Sequence, residues 1–365
     1  MNAYSALISD KPEIITIPKR KRIRYKIPCY KKAYSVYQYN QTKYYKIYAW
    51  KTAIGLQKVD GLEPSEYLVK TAEQNINGDI SFDDAHALIN SYYKENKITS
   101  ERAEEADKVS VRIAQIISEK SFVFSPVEFT TIHKRLFEGI YTHAGRIRDY
   151  NISKEEWVLD GDTVIYGNAI NLRETLEYDF SVEKNFSYKG LSTEAIVTHI
   201  ARFISNLWQI HIFGEGNTRT TAVFLIKYLS KLGFNVTNDI FAENSWYFRN
   251  ALVRANYNNR EKGVTETTHY LELFLRNLLL GEDNILSNRE MHIGYVEIKE
   301  TPEIVANREE AIVELLRENP KITLAEVAEK IGKSLRTVKT IIKKLQENGV
   351  IERVGGKKNG SWKII

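Results

Sequence analysis

One stretch of this sequence gathers the residue types that phosphate chemistry needs: His211-Ile212-Phe213-Gly214-Glu215-Gly216-Asn217-Thr218-Arg219. Gly216 permits a positive φ and a close backbone approach, and Gly214 lies in the same loop. The N–H groups of Gly216, Asn217 and Thr218 then face outward at the positive end of the helix that follows, a ready anion site. Arg219 adds a forked, charge-assisted contact to a phosphate oxygen. Glu215 offers a hard oxygen to Mg²⁺, an ion that keeps several waters and bridges phosphates. His211 stands at the edge of the loop with an ordinary pKa near neutrality, which suits a general base. These residues predict a nucleotide-phosphate site. The expected reaction moves a phosphorus-containing group to a hydroxyl that His211 deprotonates. The plain alternative is a histidine packed in a helical core.

Such a loop needs rigid supports. Ile196, Ile200, Phe203 and Leu207 share one face of a helix expected from Ser192 to Ile210. A second helix is expected from Thr220 to Leu232, stopped by Gly233. Helical periodicity dominates the surrounding chain with one interruption. Trp157-Val158-Leu159, Asp160-Gly161-Asp162 and Thr163-Val164-Ile165-Tyr166 read as strand, turn and strand, because Asp-Gly between β-formers signals a hairpin. Upstream, Ser65 is expected to cap a helix ending at Gly78, and Ser81 one starting at Phe82.

The pattern His211-x-Phe213-x-Glu215-Gly216-Asn217-x-Arg219 resembles the signature of the Fic family, and the similarity extends over about residues 100–290, Ala144–Arg148 included. The resemblance implies a protein adenylyltransferase that moves AMP from ATP to a Ser, Thr or Tyr hydroxyl. By the same resemblance His211 is the base and Glu215 the Mg²⁺ ligand. Gly214, Gly216, Asn217, Thr218 and Arg219 cradle the phosphates, and Asn256 touches adenine. The hairpin residues Thr163, Val164, Ile165 and Tyr166 would dock the target backbone as an added strand. Two positions depart from the family. Thr218 stands where Gly is usual, and its hydroxyl is a further phosphate or metal contact. Ala222 stands where a second Arg often meets the γ-phosphate and an inhibitory glutamate.

Residues 56–95 resemble small antitoxins that silence Fic toxins through Ser-x-x-x-Glu-Gly. Here Leu56-x-x-x-Asp60-Gly61 keeps the carboxylate one methylene shorter, which makes Asp60 the expected inhibitory residue. Ser91-x-x-x-Glu95-Asn96 is the alternative.

The whole-chain charge of +5 hides a sharper distribution. Residues 1–50 carry +9, residues 51–320 carry −11, and residues 321–365 carry +7. Polyanion binding is therefore expected at the ends. In the tail, Thr323–Glu326 is a capping box, and Ser334 caps a helix with Leu335, Val338, Ile341, Ile342 and Leu345 on its apolar face. Strand, Gly-Lys turn and strand follow, the order of a winged helix-turn-helix. Ser334, Arg336, Thr337, Lys339, Thr340, Lys343 and Lys344 lie off the apolar face, and Lys357 and Lys358 mark the wing. All nine are expected at duplex DNA. Lone Cys29 excludes an internal disulfide framework and a Cys-based zinc site.

The expected fold is mainly α: an all-helical catalytic domain with a β-hairpin flap, plus a small α/β winged helix. Expected boundaries are a basic, Tyr-rich arm at 1–44, an inhibitory helical module at 45–98, the catalytic domain at 99–295 and the winged helix at 301–365. Expected cofactors are ATP and Mg²⁺. Expected partners are a protein hydroxyl, the chain itself among the candidates, and DNA; an oligomer is compatible with the sequence. A membrane partner is not expected, and a cytoplasmic setting is. The competing reading is a DNA-binding transcriptional regulator whose Fic-like body is catalytically weak.

Overall fold

The computed structural model describes residues 30–96, 101–295, 302–331, 335–355 and 360–365. The chain divides into two compact units, one ending at Tyr295 and one beginning at Val296. Both are mainly helical. The basic segment 1–29 lies outside the described residues.

The first unit opens with α1 (Tyr30–Leu56), which runs through the arm boundary expected at residue 44. No Gly or Pro falls between Tyr30 and Ile54, so nothing local stops the helix. Its last turns bury Tyr48, Ala49, Trp50, Ala53, Ile54 and Leu56. They pack on α4 (Glu101–Ser118) and α9 (Ile240–Ala255). Small residues make that approach close. A Cβ on Gly55 would fall 2.3 Å from the carbonyl oxygen of Ala242, and the Ser245 hydroxyl donates to the Gly55 carbonyl at 2.6 Å.

A 3-10 turn (Gln57–Asp60) ends at Gly61 in the left-handed region. Then come α2 (Glu66–Asn77), capped by Ser65 and stopped by Gly78, and α3 (Phe82–Asn96), whose first turn is held by Ser81 and Asp84. Their buried residues join those of α4 and of the later helices of this unit in one continuous core. The described residues of the expected 45–98 module thus pack into the same compact unit as the helices that follow. The apolar stripes on these amphipathic helices have no other partner to bury against.

The rest of the unit comprises α5 (Pro126–Phe137), α6 (Leu172–Asn185), α7 (Thr193–Ile210), α8 (Asn217–Lys231), α10 (His269–Leu280) and the short α11 (Asn288–Met291). Every residue from Asn217 to Leu229 is buried, which puts α8 at the centre of the bundle. It starts three residues before the expected Thr220, so the end of the polar motif forms its first turn.

The hairpin flap is not formed. Trp157–Leu159 is a 3-10 turn, Asp160 and Gly161 reverse the chain with positive φ, and 162–168 runs extended without a strand ladder. The Asp-Gly turn forms as expected, but Val158 and Leu159 are both fully buried. Consecutive burial is incompatible with the in-out alternation of a half-exposed strand.

In the second unit, α12 (Pro302–Glu318), α13 (Leu324–Lys330) and α14 (Leu335–Glu347) precede β1 (Ile351–Val354) and β2 (Ser361–Ile364). The strands pair antiparallel, with Ile351 opposite Ile364 and Val354 opposite Ser361. Ile312, Leu316, Ile322, Val327, Val338, Ile342, Leu345, Ile351 and Trp362 form a core of their own. The Thr323–Glu326 capping box is present. Leu335, expected on the buried face, is exposed: it is the first residue of α14, a turn ahead of the packed Val338.

Gly55→Ala should destabilise the first unit by about 1–3 kcal/mol, because the added methyl meets backbone that cannot rotate away. Equilibrium denaturation of the full chain checks this; an unchanged midpoint would contradict the close packing of α1 on α9.

Candidate active site

The site forms where α7 ends and α8 begins. His211 terminates α7 with φ 50°, a left-handed conformation uncommon for a residue with a Cβ. Its buried ring is fixed on several sides. Nδ1 lies 3.2 Å from the Trp208 carbonyl, which can only accept, so Nδ1 carries the proton and Nε2 is the free basic nitrogen. Tyr166 packs 4.3 Å from the ring centre. Burial holds the His211 pKa well below its ordinary value, and the charges of Lys154 and Arg249 add to that. The imidazole is neutral at physiological pH, the state a general base requires.

Arg148 locks the turn. Its Nε donates to the His211 carbonyl at 2.7 Å, and its terminal nitrogens donate to the carbonyls of Tyr150, Gly167 and Ile210. The Arg148 N–H donates to Ile212. A single buried guanidinium thereby holds the positive-φ junction.

The loop closes on itself through Asn217, whose side chain accepts from the Phe213 N–H at 3.1 Å and donates to its carbonyl at 2.7 Å. Gly216 is required sterically, with φ 75° and a would-be Cβ 2.4 Å from the buried Phe137 ring; a Cβ on Gly214 would lie 2.5 Å from the Tyr150 hydroxyl, the end of an exposed side chain that can move. The N–H groups of Asn217, Thr218 and Arg219 form the first turn of α8, where a helix offers them no internal acceptor. The Thr218 hydroxyl does not face that turn's anion site. It accepts from Trp208 Nε1 at 3.0 Å and so ties α8 to α7.

His133 supports the loop from below. It accepts from the Gly145 N–H at Nδ1 (2.8 Å) and donates from Nε2 to the Glu215 carbonyl (3.0 Å). Its ring stacks 3.6 Å from Phe213. Burial pushes its pKa down to about 3.

Arg219, 1% exposed, points away from the first-turn N–H groups. Its Nε lies 2.7 Å from Asp60 Oδ2, off the N–H direction, so that contact is ionic rather than an aligned hydrogen bond. Nη1 donates to Gln57 (3.1 Å), Nη2 donates to Glu105 (2.6 Å) and Tyr141 (3.1 Å), and the guanidinium lies over Phe137. Burial alone would lower its pKa, but Asp60, Tyr141 and Glu105 hold it above the ordinary arginine value. The expected phosphate contact of Arg219 is therefore taken up by protein groups. Asp60 also approaches Arg249 on α9 at 3.5 Å, and Arg249 Nη2 is 2.9 Å from both oxygens of buried Glu156.

The Glu215 side chain is 54% exposed, and its Oε2 pairs with Lys154 at 2.8 Å. Among the described residues no group of three or more His, Cys, Asp or Glu side chains converges on one point. A divalent ion here would therefore take one protein carboxylate, with phosphate and water oxygens completing its shell. That donor set fits Mg²⁺.

Of the other expected residues, Ser91 and Glu95 are exposed on α3 and make no contact with the motif. Asn256 caps α9 and donates to the carbonyls of Leu252 (2.9 Å) and Ser205 (3.2 Å). In the extended segment, Val164 and Tyr166 are buried and Ile165 is 84% exposed; the Thr163 hydroxyl accepts from the Lys154 N–H. The structure brings in Gln57, Glu105, His133, Arg148, Lys154, Glu156 and Arg249 as well. Of these, Gln57 and Arg148 lay in segments singled out from the sequence; the others are remote in sequence and belong to no local pattern.

A Fic/DOC family model matches residues 123–229, the span that holds α5 to α8 and the loop just described. The chain carries a Fic/DOC family domain. A winged helix-turn-helix DNA-binding model matches residues 307–352 in the second unit. Among solved structures, a Fic family protein from Desulfovibrio desulfuricans G20 is similar at 11% identity, over 82% of this chain and 96% of that one, with a TM-score of 0.35. The Fic domain's motif loop is thus closed from one side by its own helices α5 to α8, and from the other by the turn that follows α1.

On the winged helix, Arg336, Lys339, Thr340, Lys343 and Lys344 are exposed on α14, and Thr337 is half-buried. The Thr340 hydroxyl bonds the Arg336 carbonyl, Lys344 pairs with Glu309 at 2.7 Å and Lys343 with Glu347 at 3.7 Å. Ser334, Lys357 and Lys358 lie outside the described residues.

His133 gives the loop a pH signature. It titrates near 3 when folded and near its ordinary value of about 6.5 when unfolded, so the unfolded chain binds the extra proton between them. Stability is then lost as pH falls below the unfolded value, by about 1 kcal/mol from pH 7.5 to 5.5 for this group. Chemical denaturation at the two pH values should show a smaller difference for His133→Asn than for the unsubstituted chain. Equal differences would remove His133 from the pH dependence.

Proposed function

We propose that the chain transfers AMP from Mg-ATP to a hydroxyl of a protein target, with His211 as base and Asp60 as a built-in inhibitor. One observation supports this above the others: the fixed tautomer of His211 leaves Nε2 basic at the junction where α8 begins with no side-chain cap on its first turn. In this reading the N–H groups of Asn217, Thr218 and Arg219 bind the phosphates. His211 Nε2 takes the proton of the attacking hydroxyl as its oxygen bonds the α-phosphorus and the bond to the β-phosphate breaks, releasing pyrophosphate; Arg148 and Trp208 hold the imidazole in line. Glu215 would hold Mg²⁺, which supplies charge neutralisation at the phosphates, and Lys154 gives up its pairing there. Asn256 keeps Oδ1 for adenine, since its amide nitrogen is spent on backbone carbonyls. The exposed edge around Ile165 is the surface for the target segment.

Asp60 is the inhibitor in this reading because its carboxylate, unlike Glu95, reaches the motif. The C-terminal unit brings the enzyme to duplex DNA, with Arg336, Lys339, Thr340 and Lys343 toward the groove. A second reading has specific support. With His211 4% exposed and Arg219 buried among Asp60, Gln57, Glu105 and Tyr141, the resting chain is closed to substrate, as suits a DNA-binding regulator with a weak Fic body.

Incubation with α-labelled ATP and Mg²⁺ separates the two. Protein-bound label, on the chain or on a partner, should fall by about 10²–10⁴-fold in His211→Ala, the usual contribution of a general base. Label appearing from γ-labelled ATP alone would contradict AMP transfer. For the tail, affinity for duplex DNA should fall steeply from 50 to 200 mM salt, with Lys339→Ala reducing the slope of log K against log salt by about one. A flat salt profile would contradict DNA binding.

A further inference from the structure

We propose that Arg249 is the second phosphate-binding guanidinium of this site, carrying the charge that Ala222 lacks and recognising the terminal phosphates of a nucleoside triphosphate. The proposal rests on the nucleotide reading above. Ala222 is fully buried in α8 and offers an anion nothing. Arg249 comes from α9 and meets the same carboxylate, Asp60, that Arg219 meets from α8. A single carboxylate, that of Asp60, spans Arg219 at 2.7 Å and Arg249 at 3.5 Å. The two cations therefore already define a cleft the width of one small anion. A phosphate group, with more charge and more acceptor oxygens, fits the same pair of forks once Asp60 withdraws.

A second observation points the same way. The Nε–H donors of both Arg219 and Arg249 are buried and have no hydrogen-bond acceptor among the described residues. Buried charged donors are rarely left so: Arg219 Nε faces the Asp60 carboxylate and Arg249 reaches it through Nη1, so the two guanidiniums keep donor capacity that this one carboxylate does not fill.

Arg249 is also positioned relative to the base. Glu156, 1% exposed, holds its Nη2 with both oxygens and accepts from the Tyr166 hydroxyl at 3.1 Å, and the Tyr166 ring lies against His211. The chain Asp60–Arg249–Glu156–Tyr166–His211 ties the terminal-phosphate end of the site to the imidazole.

The test compares two full-length proteins, both carrying His211→Ala to prevent transfer and Asp60→Ala to vacate the cleft. One is otherwise unchanged. The other adds Glu156→Gln and Arg249→Gln, which removes the buried pair together and strands neither charge. Calorimetric titration with ATP and with AMP, in Mg²⁺, reads both affinities. ATP affinity should fall about ten- to hundredfold in the second protein, with AMP affinity within about twofold, the loss typical of a charged hydrogen bond. An unchanged ratio of ATP to AMP affinity, whether both fall or neither does, overturns the role of Arg249. If the first protein binds neither nucleotide, the nucleotide reading itself fails and takes the proposal with it.

Discussion

Arg219 is a cation inside a helical core, and the need to neutralise it organises the first unit. A charge with 1% exposure must find carboxylates and acceptors of its own. It takes Asp60 and Gln57 from the turn after α1, Glu105 from α4 and Tyr141 from the segment after α5. Removing one partner from a buried pair of this kind costs on the order of 3 kcal/mol, because the other charge is left stranded. The turn after α1 is therefore held to the start of α8 by the Asp60–Arg219 ion pair. The close seat of Gly55 on α9 fixes how far Asp60 reaches.

His211 is held by a different logic. His211 sits at a strained junction that α7 alone would not maintain, and Arg148 stabilises it by collecting four carbonyls. Thr218, where the family usually has Gly, turns its hydroxyl inward to Trp208, whose carbonyl sets the imidazole tautomer. The substitution thus tightens the α7–α8 junction and leaves the backbone N–H groups of the first turn in place. The contacts that hold His211 and those that hold Arg219 use different atoms. His211 is positioned from the α7 side, Arg219 from the α1 side.

Much of this was legible in the sequence, for physical reasons. The loop was visible because Gly, Asn, Glu and Arg at fixed spacing have few other uses between two apolar helices. Asp60 was visible through its own short motif. The winged helix was visible because a capping box, a sharply amphipathic helix and a glycine-bounded hairpin each have local signatures. The start of α8 was placed three residues late, since polar residues in a first turn look like loop until Asn217 is seen to close on Phe213. The flap was misread because the Asp-Gly signal fixes a turn but not the pairing of what flanks it. Here burial of Val158 and Leu159 in adjacent positions decided against strands. His133, Glu156 and Arg249 carry no local signal at all. Their roles come from packing between segments tens of residues apart.

The most direct measurement of the central ion pair is the initial rate of α-label incorporation from ATP by Asp60→Ala, set against the unsubstituted chain and against Glu95→Ala. The rate should rise by about tenfold or more in Asp60→Ala, a modest share of the strength of a buried ion pair, and stay unchanged in Glu95→Ala. An equal or lower rate in a folded Asp60→Ala protein, or a rise confined to Glu95→Ala, would contradict the assignment of Asp60 as the group that holds this site closed.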